Sequence, residues 1–280
     1  MRLSHLLPIA LLALAACHDD GVSVNARPPL GGVRFINAVP DGGPVDIRMV
    51  DQVEWSASSV SGNSSCCGLG FRQGTPHWAT EAKARHIRVF PTDSSIAVTS
   101  QILHDTTITI EANKNITLML VGSRAAGGKV RFVQIDDNPG AVPDNKVAVR
   151  LVNASTTGSV PATADGYIVT DTTATGLPAS ATFAAVGPLA ASPYVMRDPG
   201  VFAIRATAAG NTTTFWATTA PAGAAATTQI GAAAGYLGTG SAISGYVFPR
   251  SVAATGAPQS SAFQKPAVVF FEDLIPEPPR

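Results

Sequence analysis

The sequence predicts an all-β protein built as two tandem antiparallel β-sandwich domains. Three observations carry the prediction: short apolar runs of period two, turn-forming residues between those runs, and a hexapeptide that occurs twice. Apolar residues alternate with polar ones in Val45-Asp46-Ile47-Arg48-Met49, around Arg88 in Ile87 and Val89, and around Thr109 in Ile108 and Ile110. Ile116, Leu118 and Leu120 alternate with Thr117 and Met119. Period two places every second side chain on one face of a strand, so these runs predict strands half buried against a core.

Turn chemistry separates the runs. Pro40-Asp41-Gly42-Gly43, Pro91-Thr92-Asp93, Ala112-Asn113-Lys114-Asn115 and Ala126-Gly127-Gly128-Lys129 each contain residues that preset φ or accept positive φ. No long stretch has a helical period with a capping residue. Short strands with turn signals bury one face each against a second sheet, which is a sandwich.

The N-terminus reads as an export and lipidation signal. Arg2 is a short basic region, and Leu6 to Leu14 form an apolar run broken only by Pro8. Its length is that of a signal peptide and falls short of the ~18 residues of a membrane-spanning helix. Leu14-Ala15-Ala16-Cys17 has the form of a lipobox, so residues 1–16 are expected to be removed and Cys17 to carry a diacylglyceryl thioether. Two acyl chains hold a protein on a membrane where one binds only marginally. Residues 17–32 are polar and rich in Gly and Pro, a flexible tether reaching about 45 Å at full extension. His18 follows the cysteine, where aspartate would favour retention in an inner membrane, so the outer membrane is expected.

The 280 residues are 45% hydrophobic and 14% charged, with 19 basic and 19 acidic side chains. That balance argues against nucleic acid as a partner, because phosphate binding needs a basic surface. Between Thr172 and Pro249 the only charges are Arg197, Asp198 and Arg205, so the exterior there is expected to be neutral and rich in Thr, Ser, Ala and Gly.

The repeat sets the domain count. Val33-Arg34-Phe35-Ile36-Asn37-Ala38 returns as Val149-Arg150-Leu151-Val152-Asn153-Ala154, and Ala203-Ile204-Arg205 echoes His86-Ile87-Arg88. Domains at 33–138 and 146–280 are expected, joined by a linker at 139–145, with Val268-Val269-Phe270-Phe271 as a closing strand of the second. These openings, with Pro40-Asp41 and Val45-Asp46-Ile47, resemble the family called domain of unknown function 4397. The resemblance implies immunoglobulin-like sandwiches in tandem on a bacterial envelope lipoprotein, and it brings no catalytic residues. The second copy departs from the pattern, with Ser155-Thr156-Thr157-Gly158 in place of the Pro-Asp turn.

Catalytic and cofactor motifs are not found. Gly127-Gly128-Lys129-Val130 lacks the leading Gly and the hydroxyl of a phosphate loop, so no nucleotide is expected. No Gly-x-Ser-x-Gly elbow exists. His77, His86 and His104 read as surface or turn residues, and Asp136-Asp137-Asn138 as an acidic strand end, so neither metal nor cofactor is expected.

Cys66 and Cys67 are the thiols left after lipidation of Cys17. They form either a strained vicinal disulfide or free or intermolecular thiols. Trp55, Phe71 and Trp78 flank them in a segment without strand alternation, and read either as a binding loop or as a covering over the sandwich end. The sequence thus points away from an enzyme. It points to a membrane-anchored binding or adhesion module of the envelope with a glycan, peptide or envelope protein as ligand, or to an envelope spacer without one.

Overall fold

The protein is all-β, a set of sandwiched sheets with one short helix among the described residues. The computed structural model describes residues 28–51, 68–156, 159, 161–213, 216–224 and 232–275. In the first half β1 (Leu30–Asn37), β2 (Val45–Met49), β3 (Trp78–Glu81), β4 (Ala84–Pro91), β5 (His104–Thr109), β6 (Asn115–Gly122) and β7 (Val130–Asp136) form two sheets. Their orders are β3-β1-β6-β7 and β2-β4-β5, with the short helix α1 (Ile96–Thr99) between β4 and β5. In the second half the strands are β8 (Val147–Asn153), β9 (Ala164–Val169), β10 (Phe183–Val186), β11 (Val195–Arg197), β12 (Ala203–Ala208), β13 (Trp216–Thr219), β14 (Ala242–Phe248) and β15 (Ala267–Leu274). They form the sheets β11-β8-β14-β15 and β10-β9-β12-β13.

Pairing among these strands is antiparallel except at two places. β1 runs parallel to β6, and β8 parallel to β14. Neither pair is consecutive in the chain, so no hairpin constrains its direction.

The two halves correspond strand by strand. Arg34 lies opposite Thr117, as Arg150 lies opposite Ser244; Met119 lies opposite Val133, as Tyr246 lies opposite Val269. β4 sits between β2 and β5, and β12 between β9 and β13, which puts His86-Ile87-Arg88 and Ala203-Ile204-Arg205 on equivalent strands.

Each half buries its own core. Val33, Phe35, Ile47, Ile87, Val89, Leu118 and Leu120 meet in the first, and Val149, Leu151, Phe183, Phe202, Ile204, Ile243 and Val247 in the second. A third cluster joins the halves. Ile36, Ala38, Phe71, Met119, Val121 and Ile135 pack against Val152, Ala154, Tyr246 and Phe248, with Val269 and Phe271 beside them. The β3-β1-β6-β7 sheet thus lies on the β11-β8-β14-β15 sheet, and four layers result.

This stacking changes the expectation of half-buried strands. β2 and β4 alternate in burial, but β6 is buried continuously from Ile116 to Val121 and β8 along its whole length. Strands covered on both faces need apolar residues at both parities. Gly74 shows how close the layers come: a Cβ there would stand 2.5 Å from Phe271 and 3.0 Å from Ile36.

The body has two distinct ends. The chain enters β1 at Leu30 close to where β7 and β15 finish, because Arg34 and Arg150 reach the carbonyls of Glu272 and Asp136. At the other end β1 leads into Pro40, whose carbonyl accepts from the Val252 amide in the loop after β14. The Thr92 amide donates to Pro44 there, so the loop carrying α1 also lies at the end away from Leu30.

Candidate functional site

The arginines of the repeated hexapeptide face away from their own cores and meet between the halves. Arg34 and Arg150 are 1% and 3% exposed, too buried for unpaired charges. Arg34 donates through Nη2 to Asp273 Oδ1 at 2.8 Å and Asp137 Oδ2 at 3.1 Å, through Nε to Thr117 Oγ1 at 2.8 Å, and through Nη1 to the Glu272 carbonyl at 2.8 Å. Arg150 mirrors it. It donates to Asp137 Oδ1, to Ser244 Oγ at 2.6 Å and to the Asp136 carbonyl at 2.5 Å. Thr117 and Ser244 in turn donate to Asp137 and Asp273.

The rest of the shell completes this network. Tyr194 donates to Asp273 Oδ2 at 2.9 Å, and His77 Nε2 lies 2.8 Å from Asp137 Oδ2. Arg34 also lies over Tyr246 and Phe271, and Arg150 over Tyr194. Two arginines and two aspartates leave the buried group balanced in charge.

Electrostatics fix the protonation states. Burial works to raise the Asp137 carboxyl, but Arg34, His77 and Arg150 together hold it below its ordinary value. Burial lowers the Arg34 guanidinium, and Asp137 foremost among its neighbours reverses this and raises it. Burial pushes the Tyr194 and Tyr246 phenols up, so both stay neutral.

A carboxyl depressed in the folded state stabilises fully above its unfolded value, near 4. That contribution is lost as pH falls through the depressed folded value. The urea midpoint is therefore expected to hold from pH 7 to about 4 and to fall below it, with a shallower fall in Asp137→Asn. An acid slope identical in the two proteins would show that Asp137 is not the group responsible.

Two clefts open along the seam between the halves. The first, of about 450 Å³, lies at the Leu30 end and is lined by Arg34, Thr75, His77, Asn115, Phe270 and Glu272 among others. Most of its polar groups already have protein partners: Arg34 and His77 are in the network, Asn115 donates to the Asp273 carbonyl, and Thr75 bridges the Phe35 amide and the Pro76 carbonyl. The second, of about 730 Å³, lies at the opposite end between Pro40 and the β14–β15 loop, lined by Pro249, Arg250, Ser251, Gln259 and Gln264 among others.

The residues singled out from sequence are not brought together. Cys17, Cys66, Cys67 and Trp55 lie outside the described residues. Phe71 is 1% exposed and packs edge-on to Phe248 at 6.0 Å, with Phe263 at 6.2 Å. As a contact anchor Phe71 is therefore corrected, because its ring is sealed between the halves. Arg72 next to it donates to the carbonyls of Pro249, Ala262 and Lys265 and clamps that loop. Trp78 is half buried against the first core.

His77, expected as a surface or turn residue, lies in the loop before β3, half buried, and pairs with Asp137 of the buried network. Of the other two, His86 pairs with Asp105 on the exposed face of β4 and β5, and His104 packs edge-on to Phe132. Asp137, expected within an acidic strand end, is the fully buried carboxylate shared by both arginines. Sequence reasoning missed the distal residues Arg250, Gln259 and Gln264, and Ile96, which is 84% exposed on α1. An isoleucine in a loop between two strands was the one signal for that end.

The site is thus a seam between sandwiched sheets that buries its charges in mutual ion pairs and has clefts at its two ends. Residues 31–163 match the model of the family described as Domain of unknown function (DUF4397). The matched segment covers the first pair of sheets and extends through β8. No match to the chain is found among curated proteins.

Proposed function

We propose that the protein is an exported lipoprotein, anchored to a membrane of the cell envelope through Cys17, that binds a partner rather than catalysing a reaction. The outer membrane is the proposed site, and the second pair of sheets is proposed to be a second copy of the family domain. The observation that carries the reading is the polarity of the body. The tether would enter at Leu30, while the β4–β5 and β14–β15 loops, the cleft beside Pro40 and the exposed Ile96 and Ile102 lie at the opposite end. Loops on a rigid β scaffold are where such proteins carry recognition.

A second reading, an envelope spacer, is favoured by the third core, which stiffens the seam. Two variants separate the readings. Cys17→Ser is expected to abolish fatty-acid labelling and move the protein from the membrane fraction to the soluble one. Ile96→Asp is expected to leave the melting temperature unchanged and weaken attachment of the purified protein to isolated envelopes. Labelled serine variant rejects the anchor, and undiminished attachment of the aspartate variant favours the spacer.

A further inference from the structure

We infer that the outer edge of β7 is a strand-addition site, taking an extended peptide in which apolar and acidic residues alternate. This edge runs along the side of the body, and the inference does not rest on the Ile96 end as the contact face. β7 is the last strand of its sheet and pairs with β6 in unbroken register from Val130 to Asp136. Two bonds set the direction of its free backbone groups. The Asp137 amide donates to the Asn115 carbonyl and the Ser123 amide to that of Lys129, so the odd-numbered residues of β7 face β6. The amides and carbonyls of Phe132 and Gln134 therefore point outward, and they have no partner among the described residues. The outward carbonyl of Asp136, by contrast, accepts from Arg150.

Proteins blunt their exposed edges with short strands, bulges or a covering element. β3, β11 and β13 are three or four residues long, and β10 loses register between Phe183 and Val186. β15, the counterpart of β7, is covered, because Thr218 of β13 donates to the Val268 carbonyl at 2.7 Å. Thr106 and Phe132 hold those two positions in the first half, and no hydrogen bond joins them. Phe132 is left half buried beside His104.

The side chains along β7 choose the occupant. Lys129 and Arg131 are exposed on one side of the edge and have no carboxylate within ion-pair distance among the described residues. Val130 and Phe132 alternate with them and face the first core. A strand laid against this edge meets a cation and an apolar side chain by turns, and opposite charges directly across a sheet attract. Main-chain bonds to Phe132 and Gln134 supply affinity, and the alternating side chains supply the preference for acidic and apolar partners.

The test adds the peptide Ac-TVEVEVT-NH2, with Ac-TVKVKVT-NH2 as its charge-reversed control, to the full chain in detergent. Fluorescence anisotropy reads binding, and residue-resolved amide exchange reads its place. The glutamate peptide is expected to bind and to slow exchange at Phe132 and Gln134, and the lysine peptide to bind about tenfold more weakly. Arg131→Glu is expected to reverse that order. Gln134→Pro removes an outward amide, which an edge strand tolerates, and is expected to abolish binding at an unchanged melting temperature. Absent binding, unchanged exchange at both amides, or a proline variant that binds as the parent does would overturn the site. Self-association of the parent that the proline variant loses would put a second copy of the chain at this edge and overturn the peptide.

Discussion

Replacing Asp137 by alanine is expected to lower the unfolding free energy by about 3 to 5 kcal/mol, because it leaves two buried guanidinium groups with one carboxylate between them. Asp137 is fully buried and pairs with Arg34 and Arg150 from opposite halves. The loss exceeds that of an ordinary surface pair, about 0 to 1 kcal/mol, because water cannot reach the stranded charges. For a chain of this size the melting temperature is expected to fall by roughly 10 °C. Asp137→Asn keeps the shape and part of the hydrogen bonding, so it is expected to fall between alanine and the parent. Urea unfolding of the three proteins measures the order, and a loss below about 1 kcal/mol for alanine would show that water screens the network.

Phe71→Ala is expected to cost about 3 to 5 kcal/mol, the range for emptying a well-packed aromatic site. The ring lies between Phe248 and Phe263 with the Arg72 guanidinium 5.1 Å from its centroid, so deletion opens a cavity and loosens the clamp on the β14–β15 loop. Envelope attachment measured well below the lowered melting temperature is expected to persist. Lost attachment at full stability would return Phe71 to the role of contact anchor.

The seam keeps a symmetric charge pattern with an asymmetric division of volume. Arg34, Thr117 and Asp137 answer to Arg150, Ser244 and Asp273, each arginine reaching the carboxylate of the other half. Yet Met119, Val121 and Ile135 stand where the second half has Tyr246, Phe248 and Phe271. The smaller side chains of one sheet receive the aromatic rings of the other, which is the complementarity a dense interior needs.

Much of the fold was legible because its cause is local. β2 and β4 announce themselves by alternation, since water on one face and a core on the other impose period two. The repeated hexapeptide marks equivalent strands, β1 and β8, and the apolar Val268 to Phe271 run is indeed a paired strand. Less of the site was legible. Ile36, Met119 and Tyr246 occupy positions that alternation alone assigns to solvent, and only a second sheet laid over them explains the apolar choice. Arg34 and Arg150 were visible as a repeat, but a buried arginine and a surface arginine look the same in a sequence until a carboxylate from a distant strand is placed beside them.

By itself the sequence determined the β-sandwich class, the family of its first segment and the strands that carry each core, because period, turn chemistry and motif act over a few residues. Tertiary structure alone decided that the halves share a third core, that Phe71 is interior, and that His77 joins the buried ion-pair network. Those outcomes depend on which faces meet, and pairs such as Arg34 with Asp273 lie 239 positions apart.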